Sequence, residues 1–516
     1  MKKIAFITFL VALGIVLYGL TLRGVPGNPK GSDVKNGLDQ ATKPFELSPE
    51  RGRFLLTMSL AENKSFALSQ QLADAAYPDV GWHQGKYYIF FAPGISIFAL
   101  PFYMIGKNYQ LSQVASYSAI SIFAILNMIM LFLIGTDIIK LKKWAASLSS
   151  LIFAFGSTSW SYAVTMYQHH ATTFFILSGF YAVWQYRKNT RWSWIWGIWP
   201  WTALALAIAV DYPNAFFMLP VMIYFLISAF DVKDMKDKLK VSFRLSSALT
   251  SFLFIGIMAA HLYLNYLNYG GITKVSNSLP SYKVVKEHNI QNTATAEAQI
   301  KKIESTKNAS DFFKETHMPF SPYTLTIGPD RGIFLYSPIF LLAILGIFTL
   351  FKAMDLERSV LLFSAGSIFF LYSSWGDPWG GWAFGPRYMI PAMSVLSLFA
   401  ALWISQKKYS LIRRITALWL FAYSCFVGLL GALTTNAVPP KVEADFLKTK
   451  YNFLLNMEFL KDDRSSSYIY NTFFKATTNL TVYFFMIFVT ILVIFYALAF
   501  IVPMFEKNNE SDNIIK

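Results

Sequence analysis

The chain reads as an all-α polytopic membrane protein, and three observations carry that reading. Its 516 residues are 55% hydrophobic and 17% aromatic but only 14% charged, with a mean hydropathy of +0.41. A water-soluble chain of this length does not have such a composition. Apolar runs long enough to cross a bilayer recur along the sequence, so we expect about twelve to thirteen transmembrane helices with large outer loops. The net charge of +16 gathers in short connections between these runs. That is the positive-inside pattern, and it gives no reason to expect nucleic acid as a partner. The single cysteine, Cys425, lies within an apolar run and forms no internal disulfide.

In chain order, Met1-Lys2-Lys3 precedes an apolar run over 4–22 that lacks a small-residue cleavage site. We read it as a retained first span rather than a removed signal peptide. The polar segment 23–86 forms a first outer loop. Ser48 or Pro49 opens a helical pattern there, with Phe54, Leu55, Met58, Leu60 and Ala61 as its apolar stripe. An amphipathic helix lying along the membrane surface is expected. Residues 87–105 are hydrophobic but short, and broken by Pro93-Gly94 and Pro101. Further spans are expected near 114–139, 144–161, 170–186, 194–210, 213–230 and 245–267.

A second outer loop covers 268–332, with a wet helix in its middle over 294–315. Spans near 333–351, 358–374, 387–404 and 412–433 precede a third outer loop at 434–475. A last span near 477–502 leads to a cytoplasmic tail at 506–516. The basic connections 140–143, 187–191, 231–244 and 407–414 should be cytoplasmic. If 87–105 crossed completely, every later basic connection would fall outside. Charge bias therefore favours twelve crossings with 87–105 dipping in from the outer side, and thirteen as the alternative.

The stretch 371–390, LYSSWGDPWGGWAFGPRYMI, organises the second half. It joins two apolar runs at a membrane surface, and Trp375, Trp379 and Trp382 suit the interfacial aromatic belt. Its glycines and prolines exclude a regular helix and allow close approach to a ligand. Arg387 has two readings, an anchor among headgroups or a fork of donors for an anionic lipid head.

Glu50, Asp79, His83, His169, His170, Asp211, Asp330, Arg331, Asp377 and Arg387 all fall on the outer side of this topology. Glu50 is either an early-turn acid serving the helix dipole or a reactive carboxylate. His169-His170 caps a helix, hydrogen-bonds at the interface, or takes part in a site. Asp211 stands between two strongly apolar runs, where an ionisable group is expensive to place idly. The spacing of these residues makes no metal site, and no nucleotide-binding glycine loop is present. No cofactor is expected, and a metal requirement is left open.

At these residues the chain resembles polytopic glycosyltransferases of the GT-C fold, in the aminoarabinose and protein-mannosyl transferase superfamily. The resemblance is to the overall plan over residues 1–430 and to local motifs. Glu50-Arg51-Gly52-Arg53-Phe54 resembles the family's first-loop motif, an acid followed after two residues by Arg and an aromatic. The segment 85–105 resembles a short aromatic stretch leading to a proline-containing membrane helix. Tyr336-Ser337-Pro338 and the W..W.GG…GPRY pattern of 375–388 resemble bacterial members.

The resemblance implies transfer of a sugar from a polyprenyl-phosphate carrier to a glycan, lipid or protein acceptor outside the cytoplasmic (inner) membrane, by inverting displacement. It implies Glu50 as general base, with Arg387, Arg331 and Lys86 as contacts for the lipid phosphate. Asp79, His83, His169, His170, Asp211 and Asp377 are the further candidates. Two departures stand out: the acid is Glu where the family commonly has Asp, and Phe90 or Phe91 stands where relatives often place a phosphate-contacting Lys. Another lipid-linked envelope enzyme, a polymerase or ligase, is the nearest rival. A transporter fits less well, because the polar features collect at one face rather than at mid-membrane.

Overall fold

A computed structural model describes residues 2–36, 45–188, 191–235, 238–288, 290, 296–303, 313, 316, 318–350, 354–407, 410–440 and 451–505. The chain is an all-α polytopic membrane protein with large loops. Among the described residues, seven helices are long and apolar enough to cross a membrane: Lys3–Thr21, Ser112–Asp137, Ser193–Val210, Ser247–Tyr269, Arg387–Ser405, Ser410–Leu433 and Leu480–Phe505.

The remaining spans expected from sequence are also helical, but shorter or more polar. Lys143–Phe155, Asn214–Ser228 and Pro338–Thr349 are short apolar helices. The first of them has 13 residues and reaches about 20 Å, against the ~30 Å of a hydrocarbon core. His169–Arg187 and Leu356–Ser373 are long enough but carry more polar side chains. Among the described residues, seven of the expected spans thus combine full length with full apolarity. The tail 506–516 and parts of the second and third outer loops (304–312 and 441–450) lie outside the described residues.

The chain divides into two compact units, one of residues 25–119 and 166–314, the other of residues 1–24, 120–165 and 315–516. In the first of these, Ser48–Glu62 packs against Gly94–Asn108. The expected one-sided stripe is absent, because every residue from Gly52 to Ser59 is buried. Thr57 Oγ1 donates to the Ser96 carbonyl at 3.1 Å, and Ser96 Oγ returns a bond to the Arg53 carbonyl at 2.9 Å. Gly52 lies against Phe91, and a methyl group added there would meet the ring at 3.6 Å.

Residues 87–89 belong to a strand rather than to a membrane segment. Val80–His83 and Lys86–Ile89 form a hairpin, turned at Gln84 and Gly85 with φ of 46° and 77°. Two positive φ values at a two-residue loop match the twist of the flanking strands. Helix begins only at Gly94, whose missing side chain lets it meet the Ala209 carbonyl, 2.4 Å from an added Cβ. A second hairpin, Phe230–Met235 with Lys238–Phe243, occupies the basic connection that follows Leu219–Ser228.

In the other unit, Lys143–Phe155 is buried from Trp144 to Phe155 and packs on Ile390–Ser405, Lys3–Thr21 and Ser410–Leu433. Ser150 donates across to the Met128 carbonyl of Ser112–Asp137 at 2.7 Å, whereas the other two serines fold back on their own helix: Ser147 donates to Lys143 O at 3.0 Å and Ser149 to Ala146 O at 2.7 Å. A buried hydroxyl is thereby satisfied without a partner from another helix. Leu341–Leu350 meets Ile390–Ser405 at Gly346, where an added Cβ would lie 2.1 Å from the Phe399 carbonyl oxygen. Cys425 is fully buried in Ser410–Leu433.

Candidate active site

The N-terminal end of Ser48–Glu62 collects charge that a membrane chain would not bury idly. Glu50 is 2% exposed. Its Oε1 accepts the backbone N–H groups of Glu46 at 2.6 Å and Leu47 at 3.4 Å. The carboxylate thus satisfies orphan donors at the start of its own helix, which fixes its orientation. Arg51, next in sequence, donates to the Tyr77 carbonyl at 2.5 Å. Burial pulls the Arg51 guanidinium below its ordinary pKa, while the charges of Glu50 and Asp79 act against that shift. Asp79 Oδ2 accepts the Ser48 hydroxyl. Glu50 and Asp79 are therefore gathered around one arginine.

Arg53 extends the group. It is 2% exposed, donates through Nη1 to the Pro49 carbonyl at 3.0 Å and through Nη2 to Gln168 Oε1 at 2.8 Å. Gln168 Nε2 in turn donates to Asp211 Oδ2 at 3.1 Å. Asp211 is thus tied to the first-loop motif through two side chains. His169 and His170 follow Gln168 at the start of His169–Arg187 and are 3% and 1% exposed. The His169 ring stacks on Tyr167 with centroids 6.1 Å apart.

The Arg53 guanidinium lies 4.5 Å over the Phe91 ring. Where the resemblance expects a lysine, the chain thus has an aromatic ring with an arginine on its face, a pairing favoured by the ring quadrupole. Lys86 is exposed at the hairpin tip, four residues and roughly 13 Å of extended strand from Phe90. His83, its cross-strand neighbour, lies against Gly270, whose added Cβ would meet the ring Nε2 at 2.9 Å.

Arg331, Asp377 and Arg387 are brought together in the other unit by the glycine-rich turn. Gly380, Gly381 and Gly385 have φ of 70°, 59° and 65°, where a side chain would be strained. Asp377 Oδ2 accepts the Gly381 N–H at 2.6 Å and closes the turn. Arg331 is fully buried and donates to four carbonyls: Trp379 at 2.8 Å, Asp330 at 2.9 Å, Gly381 at 3.0 Å and Val438 at 3.1 Å. Its donors hold the turn to the segment after Ser410–Leu433. The Tyr162 hydroxyl adds a second brace, accepting from Phe384 N at 2.9 Å and donating to Phe384 O at 3.2 Å. Arg387 is half-buried, its guanidinium 5.3 Å from the Tyr388 ring, and Tyr388 stacks on Tyr372 at 4.2 Å.

The sequence candidates therefore fall into two groups. Glu50, Asp79, Asp211, His169, His170, His83 and Lys86 belong to one unit, and Arg331, Asp377 and Arg387 to the other. Sequence reasoning passed over Gln168, a neutral residue whose role depends on Arg53 and Asp211 meeting in space. Among the described residues, no group of three or more His, Cys, Asp or Glu could hold a metal ion.

Several solved structures are similar to the chain. ArnT from Cupriavidus metallidurans in the apo state is 12% identical, with a TM-score of 0.49 over 96% of this chain and 77% of that one. The Archaeoglobus fulgidus oligosaccharyltransferase in the apo form is 11% identical, with a TM-score of 0.43 over 91% of this chain and 59% of that one. AglB from the same organism, in complex with an inhibitory peptide and a dolichol-phosphate, is 11% identical, with a TM-score of 0.44 over 83% of this chain and 55% of that one. No protein-family model and no curated protein matches the sequence.

Proposed function

We propose that this protein transfers a sugar from a polyprenyl-phosphate-linked donor to an acceptor on the outer side of the membrane. The observation that supports it most is the buried group at the start of Ser48–Glu62, where Glu50, Arg51 and Asp79 lie beside Arg53, Gln168 and Asp211. Burying carboxylates and guanidinium groups in a membrane chain is costly, and such groups are functional by default. The first-loop motif and the GPRY turn supply the reaction class.

In this reading the acceptor hydroxyl oxygen bonds to the anomeric carbon while its proton passes to the Glu50 carboxylate. The bond from that carbon to the phosphate oxygen breaks, and its electron pair leaves on the carrier phosphate. Displacement from the opposite face inverts the sugar. The two backbone N–H groups on Oε1 hold the base in place, which is the preorganisation that general base catalysis needs. Arg387, which lies in the other unit, is a phosphate contact on the strength of the resemblance alone, and its charge would balance that of the leaving phosphate. Arg331, with its donors already given to carbonyls, keeps the turn that carries Arg387. Arg53, stacked on Phe91, supplies the cation that the resemblance expects from a lysine, and exposed Lys86 offers a further charge.

A second reading makes Asp211 the base, because its carboxylate is oriented by the Gln168 amide while Glu50 serves its helix. Sugar transfer from defined polyprenyl-phosphate sugars, measured for Glu50→Gln and Asp211→Asn, separates the two. Retained transfer in both variants removes the reading altogether.

Arg387→Lys is expected to lose at least tenfold in transfer despite keeping the charge, since a bidentate fork becomes a point donor. Unchanged donor affinity and turnover in that variant would take Arg387 out of the site. The outward orientation has its own check. A cysteine introduced at Ser466 should react with an impermeant thiol reagent in intact cells, and one at Ser193 should be spared. The reverse pattern inverts the topology.

A further inference from the structure

The helices Ser48–Glu62 and Gly94–Asn108 end beside each other, and a cavity of about 490 Å³ opens between their last turns. That volume falls in the range of ~300–1,000 Å³ that small ligands fill. Glu62, Tyr103, Lys107 and Asn108 supply its polar lining, and Met104 and Ile105 its apolar lining.

Only part of the polar lining is used within the protein. Glu62 Oε1 accepts both the Tyr103 hydroxyl at 2.7 Å and the Lys107 ammonium at 2.6 Å. A carboxylate has a second oxygen, and an ammonium has three donors. Among the described residues, Glu62 Oε2, the remaining donors of Lys107 and the Asn108 side-chain amide have no partner. Tyr103 is 1% exposed, so Oε1 is held from the buried side. Burial alone would raise the Glu62 pKa, but the bonds from Lys107 and Tyr103, with the charges of Lys107 and Lys30, bring it below the ordinary carboxylate value. The cavity therefore offers a charged acceptor and a charged donor side by side.

Its place in the chain is at a membrane surface. Asn28, just beyond the Lys3–Thr21 helix, donates through Nδ2 to the Lys107 carbonyl at 3.0 Å, and Gly27 N donates to Gln110 O at 2.6 Å. The Ser112–Asp137 span begins directly afterwards. Two membrane-crossing helices thus have their ends next to the cavity. Met104 and Ile105 are 52% and 60% exposed, which gives a tailed ligand apolar surface beside the charged groups.

We propose that this cavity binds the headgroup of an aminophospholipid of the phosphatidylethanolamine type. The lipid ammonium donates to Glu62 Oε2, the phosphate accepts from Lys107 and Asn108, and the acyl chains run along Met104 and Ile105. Glu62 sets the selectivity, because its carboxylate repels a purely anionic headgroup and favours one that carries N–H donors. A choline headgroup has no N–H to give. Glu62 stands roughly 18 Å along its helix from Glu50, so this site is separate from the transfer reaction and does not depend on it. The plain account is that Lys107 and Glu62 only pin two helix ends together, and it requires no preference among headgroups.

Native mass spectrometry of the full chain, equilibrated with dioleoyl phosphatidylethanolamine, phosphatidylcholine or phosphatidylglycerol, tests the assignment. The wild type is expected to retain phosphatidylethanolamine at least about tenfold better than phosphatidylcholine, and better than phosphatidylglycerol. Glu62→Gln should lose most of the preference over phosphatidylcholine, and Lys107→Gln should retain phosphatidylethanolamine poorly. Either variant decides alone if the other does not fold. Equal retention of the ethanolamine and choline lipids by the wild type overturns the proposal. So does phosphatidylglycerol held as well as phosphatidylethanolamine, or retention in the variants that matches the wild type. A last arm adds millimolar phosphoethanolamine, the headgroup without its tails, which should leave the lipid in place. Phosphoethanolamine retained instead of the lipid makes this a site for a soluble ligand and overturns the lipid assignment.

Discussion

Glu50→Gln yields a folded, donor-binding protein whose turnover at saturating donor is lower by about 10²–10⁴-fold. The substitution separates two jobs that one side chain holds. The carboxamide oxygen of Gln can still accept the N–H groups of Glu46 and Leu47, which Glu50 Oε1 now receives at 2.6 and 3.4 Å. What is lost structurally is the negative charge near a helix N-terminus, roughly 0.3–1 kcal/mol. What is lost chemically is the only proton acceptor the carboxylate offers, and that loss appears in kcat rather than in binding. Glu50→Asp reverses the balance. It keeps the charge but draws it back by roughly 1.5 Å, so the backbone bonds weaken and partial turnover survives. The deciding measurement is transfer by purified Glu50→Gln protein whose thermal unfolding matches the wild type. Wild-type turnover there would leave Glu50 as a helix cap and move the test to Asp211, Asp79 and Asp377.

Arg331→Gln is expected to destabilise its unit by on the order of 4 kcal/mol, because buried carbonyls that received a charged donor are left without one. The four acceptors come from Asp330, Trp379, Gly381 and Val438, so the damage should centre on the glycine-rich turn. Limited proteolysis across 375–386 and a lowered unfolding temperature would register it. If Arg331 instead only touches the donor phosphate, the variant keeps wild-type stability and loses donor affinity alone. The two outcomes do not overlap.

Much of the helical layout was legible because long apolar runs have one physical solution in a bilayer. Short-range chemistry was partly readable too. The Gln84-Gly85 pair between alternating residues announces a hairpin, yet the hydrophobic run over 87–91 argued for membrane and hid it. The buried state of Ser48–Glu62 could not be read, since Arg53 and Thr57 look like a wet face until Gln168 and Ser96 arrive from distant positions. Likewise, Arg331 reads as a phosphate ligand in sequence because nothing local reveals that its donors go to backbone up to 107 positions away. Pairings between distant residues are set by tertiary structure, and a single sequence carries no record of them.

The isolation of the one thiol has a practical consequence. Cys425 is fully enclosed within Ser410–Leu433, out of reach of an aqueous reagent that attacks only the thiolate. Any cysteine introduced at an exposed position then becomes the sole reactive sulfur of an otherwise native chain. Probes, spin labels or cross-linkers can be attached one position at a time without first replacing Cys425, whose removal would open a gap among the helices packed around it.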